Sequence, residues 1–256
     1  MAERLFVLVP PSQGKASGGL RQISTGAFDA ALGVPRHQVV EALRSFVATA
    51  TTRQLEVALS ARGSLLERAL AATNEMLGGS PPTLAAWRRY QGVVWNHLAP
   101  ESLTPAQRRH ILVPSGLYGL LASDDRIADY RLKMNARIAP LAPLARFWRP
   151  HVTEAVIERT RHATIVNFLP QEHAASVNMA LLASHRSVID VHFVAADESR
   201  AVGHDAKAVK GELARAVLVE GLVAFSIPTL LGWRVERRDN AVTVIAPTTR
   251  PQITAS

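Results

Sequence analysis

The 256-residue chain contains no cysteine. That excludes disulfides, thiolate metal ligands and any redox or nucleophilic chemistry run on a thiol. No uninterrupted apolar run reaches the roughly eighteen residues a membrane span needs, so no membrane partner is predicted. The nine histidines show no HExxH or comparable ligand spacing, and neither a metal nor another cofactor is expected. A Walker A loop, a dinucleotide fingerprint and a GxSxG elbow are all missing. The opening MAERLFVLVPPSQGK carries an acidic residue and only a short apolar run, unlike a signal peptide, so a cytoplasmic address is expected.

What is present in excess is positive charge. Lysine and arginine number 29 against 21 acidic residues, a formal balance of +8 and a pI of about 10.7. Such a balance favours anionic partners: nucleic acid, nucleotides or an acidic surface. The plain alternative is a chain rich in alanine and arginine whose arginines solvate its helices. With 48% hydrophobic and 20% charged residues, the chain can bury a sizeable core. A single domain over 1–256 is expected, with a tail that frays from about 248.

The hydrophobic pattern predicts mixed elements. Residues 5–9, LFVLV, form a continuous apolar run that reads as a buried strand, closed by Pro10 and Pro11. Residues 36–98 read as a helical block, with Gly78 and Gly79 stopping one helix and PPTLAAWRRYQGVVWNHL starting another. Its short helices are compatible with a helix-hairpin-helix or with an ordinary helical subregion. Strands are predicted at 110–113, 163–168 and 188–195, and helices at 144–161 and 206–225. Residues 199–207 are candidates to pair back on the 188–195 strand through a turn at 196–199. Alternating runs around Asp239 and Asn240 predict a hairpin. The fold class is therefore α+β, with a mixed, largely antiparallel sheet.

Several short segments carry more chemistry than packing asks for. Ser12-Gln13-Gly14-Lys15 follows the first strand and can offer N–H groups and a cation to phosphate; a solvated loop is the competing reading. In Ser115-Gly116-Leu117-Tyr118-Gly119 the glycines permit a tight turn or a close ligand approach, and Tyr118 offers a stacking face. Ser115 has no recognisable His/Asp partners, which argues against a serine hydrolase. Residues 130–134, YRLKM, alternate as a short strand would, setting Arg131 and Lys133 on one face. Lys207, Lys210 and Arg215 share a stripe on one helix, where lysines in the first turns oppose the macrodipole unless an anion is bound. Asn167, Glu172 and His173 follow a strand, where Glu172 could serve as general acid or base or simply cap a helix.

LVPPSQGKASGG, RYQGVVW, PSGLYGLL, DYRLKM, FWRPHVTEAV, IVNFLPQEHAASV and HDAKAVKGELARAVL occur in this order. Together they resemble the YaaA family of bacterial peroxide-stress proteins, from Leu5 to about Gly232. The resemblance implies a mixed α+β fold with a positively charged cleft, tolerance of hydrogen peroxide, and DNA binding with a helix-hairpin-helix in the helical block. Carried over, the cleft falls on Ser12, Lys15, Ser115, Tyr118, Arg131, Lys207, Lys210 and Arg215. Three positions depart from the family's pattern: Gln13 replaces an acidic residue, His173 a tyrosine, and Asp205 an aromatic. Two readings follow. One is a DNA-binding protein, for double-stranded DNA or DNA with unpaired bases, with phosphate contacts from Lys15, Arg131, Lys133, Lys207, Lys210 and Arg215, and Tyr118 or Trp95 stacking on a base. The other is an enzyme acting on a nucleotide or nucleobase, with Glu172 as acid or base and Ser12 and Ser115 orienting the substrate. A third, plainer reading has the cleft engage another protein.

Overall fold

A computed structural model of the chain describes residues 4–21, 26–197 and 203–248. The chain opens with strand β1 (Leu5–Leu8) and two short strands, β2 (Gly14–Lys15) and β3 (Leu20–Arg21). Three helices follow: α1 (Asp29–Thr49), α2 (Thr52–Leu59) and α3 (Ser64–Leu77). Next come β4 (Pro82–Ala85), α4 (Ala86–Arg89), β5 (Tyr90–Gln91), α5 (Val93–Leu98) and α6 (Pro105–Arg108). The middle of the chain holds β6 (Ile111–Ser115), β7 (Gly119–Ala122), β8 (Arg126–Ala128), α7 (Leu144–Arg159) and β9 (Thr164–Asn167). The last part holds α8 (Gln171–Ala174), α9 (Met179–His185), β10 (Ser187–Val194), α10 (His204–Glu220), β11 (Thr229–Leu230), β12 (Trp233–Arg238) and β13 (Ala241–Ile245).

The main sheet has eight strands in the order β11-β12-β13-β10-β9-β1-β6-β7. It is mixed, as expected. Its five central strands, β13-β10-β9-β1-β6, are parallel, and antiparallel pairs occur at both edges. The sequence reading placed the antiparallel pairs correctly in the late hairpin but underestimated the parallel centre. The cause lies in burial. LFVL and TIVN are buried at every residue, the mark of a strand covered on both faces. The late hairpin alternates instead, with Trp233 and Val235 of β12 and Val242 and Val244 of β13 buried between more exposed neighbours.

The expected helix from Pro81 onward is instead a strand, a single helical turn, a second strand and another short helix. Arg89 explains the break. Its buried guanidinium donates to the carbonyls of Ala16, Gly18, Pro82 and Ile127, joining three other stretches of chain to its own. Gly92, at φ 119°, then ends any helical continuation. Residues 130–134 carry no ladder either. The segment is extended, with Tyr130, Leu132 and Met134 buried and Arg131 and Lys133 partly exposed, so the alternation is real but the strand is not. Residues 204–207 open α10 rather than a paired strand; 198–202 lie outside the described residues, as does the tail from 249.

α10 packs on β1 and most extensively on α5. Gly211 permits this approach, since a Cβ there would lie 2.4 Å from the Val94 carbonyl oxygen. α7 packs on β7, with Trp148 fully buried and its indole N–H donated to the Gly116 carbonyl. Among the described residues, no helix is long and apolar enough to cross a membrane.

Candidate functional site

The parallel centre creates a particular edge. From β1 the order runs to β6 on one side and to β9 and β10 on the other, so the direction of winding reverses between β1 and β9. In open α/β sheets, ligands bind outside the carboxyl ends of strands at such a switch point. Here those ends carry the loop from Pro10 to Lys15 after β1, Ser115 on β6, Asn167 on β9 and the last residues of β10.

Two groups of polar residues occupy this edge. The first surrounds Lys15. Its Nζ donates to the Ser12 carbonyl at 2.9 Å and lies 4.2 Å from the centroid of the Tyr130 ring and 5.5 Å from that of Tyr90. The two phenols and Ser115 form a buried hydroxyl chain, Tyr90–Tyr130 at 2.8 Å and Tyr130–Ser115 at 2.7 Å. The Ser12 hydroxyl donates to the Gln91 carbonyl, joining the loop to β5. Lys15 is partly exposed as a residue, but protein crowds its amine, and that desolvation pushes its pKa down to about 7. Asp129 opposes the shift, while Arg131 and Arg89 reinforce it. Lys15, Arg131, Arg68 and Asp129 line a small cavity of about 50 Å³ against α3. A neighbouring cavity of about 220 Å³ shares Asp129 and adds Arg89.

The second group faces an open groove of about 940 Å³ lined by Asn167, Asp190, Phe193, Lys207 and Lys210. Asn167 donates to Asp190 at 2.7 Å and accepts from the Leu169 N–H. Lys210 sits 5.0 Å above the Phe193 ring centroid, and Lys207 is exposed. Within electrostatic reach of Lys210, the His173 imidazole has its pKa pushed down to about 4, by burial and then by that lysine. Its Nδ1 is buried without a hydrogen-bond partner.

The predicted residues therefore divide. Ser12, Lys15, Ser115 and Arg131 come together. Ser115 is fully buried, accepting from the Tyr118 N–H at 3.1 Å, so it is not open to a substrate. Tyr118 is not placed to stack on a base: its ring meets Tyr130 edge-on and its hydroxyl accepts from the Ala128 N–H. Trp95 is buried with its N–H on the Pro10 carbonyl. Gly116 and Gly119 serve close packing. A Cβ on Gly116 would meet the Leu132 carbonyl at 2.7 Å, and one on Gly119, at φ 73°, would meet the Trp148 ring at 2.6 Å. The Arg131 guanidinium and the Lys133 N–H bond the Ser60 and Ala58 carbonyls, tying this segment to the turn between α2 and α3. Lys207 and Lys210 line the groove; Glu172 lies on α8, whose Gln171 and Ala174, but not Glu172, line it. Arg215 lies further along α10, donating to the Ser102 hydroxyl at 3.2 Å. Tyr90, Tyr130, Asp129, Arg68 and Arg89 were missed as site residues. Two quoted motifs, RYQG and DYRLKM, contain four of them, but spacing alone assigns them no role.

The fold and these two groups define a mixed α/β protein that gathers cations along the carboxyl edge of a parallel sheet centre. The sequence matches the family described as peroxide stress protein YaaA over residues 5–232, and the chain belongs to that family. It is similar to a UPF0246 protein of Streptomyces coelicolor, 30% identical over 85% of this chain and 84% of that protein. A UPF0246 protein of Rickettsia bellii is 26% identical over 61% of this chain and 67% of its own length. One of Lactiplantibacillus plantarum is 31% identical over 54% of this chain and 56% of its own.

Proposed function

We propose that the protein serves peroxide defence by binding DNA along the cationic edge of its sheet. The observation that carries this reading is the open groove of about 940 Å³ lined by Lys207 and Lys210, in a chain of net charge +8. Cations on an open surface bind a phosphate backbone by releasing its counterions, an affinity that needs no enclosed pocket. The turn between α2 and α3, carrying the exposed Arg62 and braced by Arg131, supports a second backbone contact.

A second reading has its own support. The neutral-leaning Lys15 amine beside Arg131 and Asp129 is the environment of an enzyme pocket, and the strand-end position suits a nucleotide. Glu172, on the short helix α8 whose Gln171 and Ala174 line the groove, would then be the acid or base.

Fluorescence anisotropy separates the two. A labelled DNA hairpin with unpaired bases is bound at low salt and then challenged with salt, unlabelled DNA and AMP. DNA binding predicts displacement by salt with a steep log–log slope and by DNA, with no effect of micromolar AMP. Displacement by AMP at micromolar concentration would replace the first reading with the second.

A further inference from the structure

Of the 29 lysines and arginines, only four are lysines: Lys15, Lys133, Lys207 and Lys210. Arginine is thus this chain's ordinary cation. A lysine whose amine is crowded by protein beside arginines differs from a guanidinium chiefly in that an amine can lose its proton and act as a nucleophile. Lys15 is that lysine. Its amine lies against the faces of Tyr130 and Tyr90 and donates to the Ser12 carbonyl, and no carboxylate forms an ion pair with it among the described residues. Arg131, Arg68 and Asp129 line the same cavity.

We propose that Lys15 forms a reversible imine with an aldehyde or ketone that carries a phosphate group. The Nζ lone pair attacks the carbonyl carbon, and the carbonyl oxygen takes up a proton to give a carbinolamine. Loss of that hydroxyl as water forms the C=N bond, so amine plus carbonyl gives imine plus water and nothing is oxidised or reduced. Asp129, on the same cavity wall, exchanges the proton that dehydration requires. Arg131 and Arg68 hold the phosphate. An amine that deprotonates near pH 7, because its surroundings desolvate it and two guanidiniums repel its charge, is competent for this at physiological pH, whereas an ordinary lysine is almost wholly protonated there. The phosphorylated carbonyl could come from a free sugar phosphate or from the open-chain deoxyribose of an abasic site in DNA, and the test has an arm for each.

The full-length protein is incubated with sodium cyanoborohydride and one of three probes: glyceraldehyde 3-phosphate, glyceraldehyde, or an oligonucleotide with one abasic deoxyribose. The adduct is located by peptide mass mapping. The expected result is a single adduct on Lys15, formed at roughly ten-fold lower concentration with a phosphorylated probe than with glyceraldehyde, and with a pH midpoint near 7. The small probe alone would assign a sugar phosphate, and the oligonucleotide alone an abasic site. Adducts spread over Lys133, Lys207 and Lys210, equal labelling by glyceraldehyde, or no adduct would overturn the proposal. Lys15→Arg should abolish the adduct, and an adduct that persists in Lys15→Arg would overturn the proposal. Failure of the unaltered protein to bind the hairpin while the Lys15 adduct forms would fault the DNA reading and leave this proposal standing.

Discussion

The two polar groups at the sheet edge solve opposite problems with the same physics. Around Lys15, burial and neighbouring cations hold a lysine near neutrality inside a closed cluster of phenols. Around Lys210, burial and one cation hold His173 neutral, while Lys207 keeps its exposed position on an open groove. In both places desolvation is the main cause and neighbouring cations add to it, although at Lys15 Asp129 pulls more strongly the other way than either arginine. The difference is access. The first region is enclosed and internally hydrogen-bonded, the second an open groove.

The largest expected effect removes the scaffold of the closed region and leaves the groove standing. Gly119→Ala places a Cβ against the Trp148 ring at a left-handed φ, so both overpacking and backbone strain oppose it. A loss of roughly 2–5 kcal/mol is expected in denaturant unfolding. A loss under about 1 kcal/mol would mean that the turn carrying Ser115 and Tyr118 is looser than its packing implies.

The next pair of effects separates the regions by pH. The folded-state pKa of Lys15 lies below its unfolded value of about 10.5, so between pH 7 and 10.5 the unfolded chain binds more protons. Stability from this group therefore falls as the pH drops through that window, by at most about 1.4 kcal/mol per unit, and levels off below 7. His173 obeys the same sign in a lower window, from its ordinary 6.5 down to about 4. Unfolding free energies at pH 7, 8 and 9 should show the alkaline slope in the native chain and lose it in Lys15→Met. The acid slope should survive Lys15→Met and weaken in His173→Gln. A single variant that removed both slopes would show the two regions to be one coupled site.

Much of this edge was legible before the fold was known, and the exceptions have physical causes. Strands β1, β6, β9, β10 and the β12–β13 hairpin follow from apolar runs and alternation, which report burial directly. The direction of the central strands does not, because a strand buried on both faces looks the same whichever way its neighbours run. Pro82 to Leu98 misled because local propensity there is overridden by one buried side chain, Arg89, three of whose four carbonyl partners, Ala16, Gly18 and Ile127, are distant in sequence. Lys15, Ser115 and Arg131 were recognisable as unusual. That Tyr90 and Tyr130 complete the cluster was not, since their ring faces and hydroxyls meet across forty residues. Tyr118 read as a stacking platform because a tyrosine between glycines has no sequence mark distinguishing an open ring from a packed one.

The smallest effect tests whether the open region works by charge alone. Lys207 is exposed and lines the groove, so Lys207→Ala should leave stability within about 0.5 kcal/mol of the native value. If it contacts a backbone phosphate, the log–log salt slope of hairpin binding should fall by about one, with a similar weakening for every DNA sequence tried. Lys207→Arg should restore the slope, because a phosphate contact needs only the positive charge. Lys15→Arg keeps its charge too, but should lose the imine chemistry. If Lys207→Arg failed to restore binding, the groove would be reading shape or hydrogen-bond geometry as well as charge. The contrast between a selective closed region and an undiscriminating open one would then have to be redrawn.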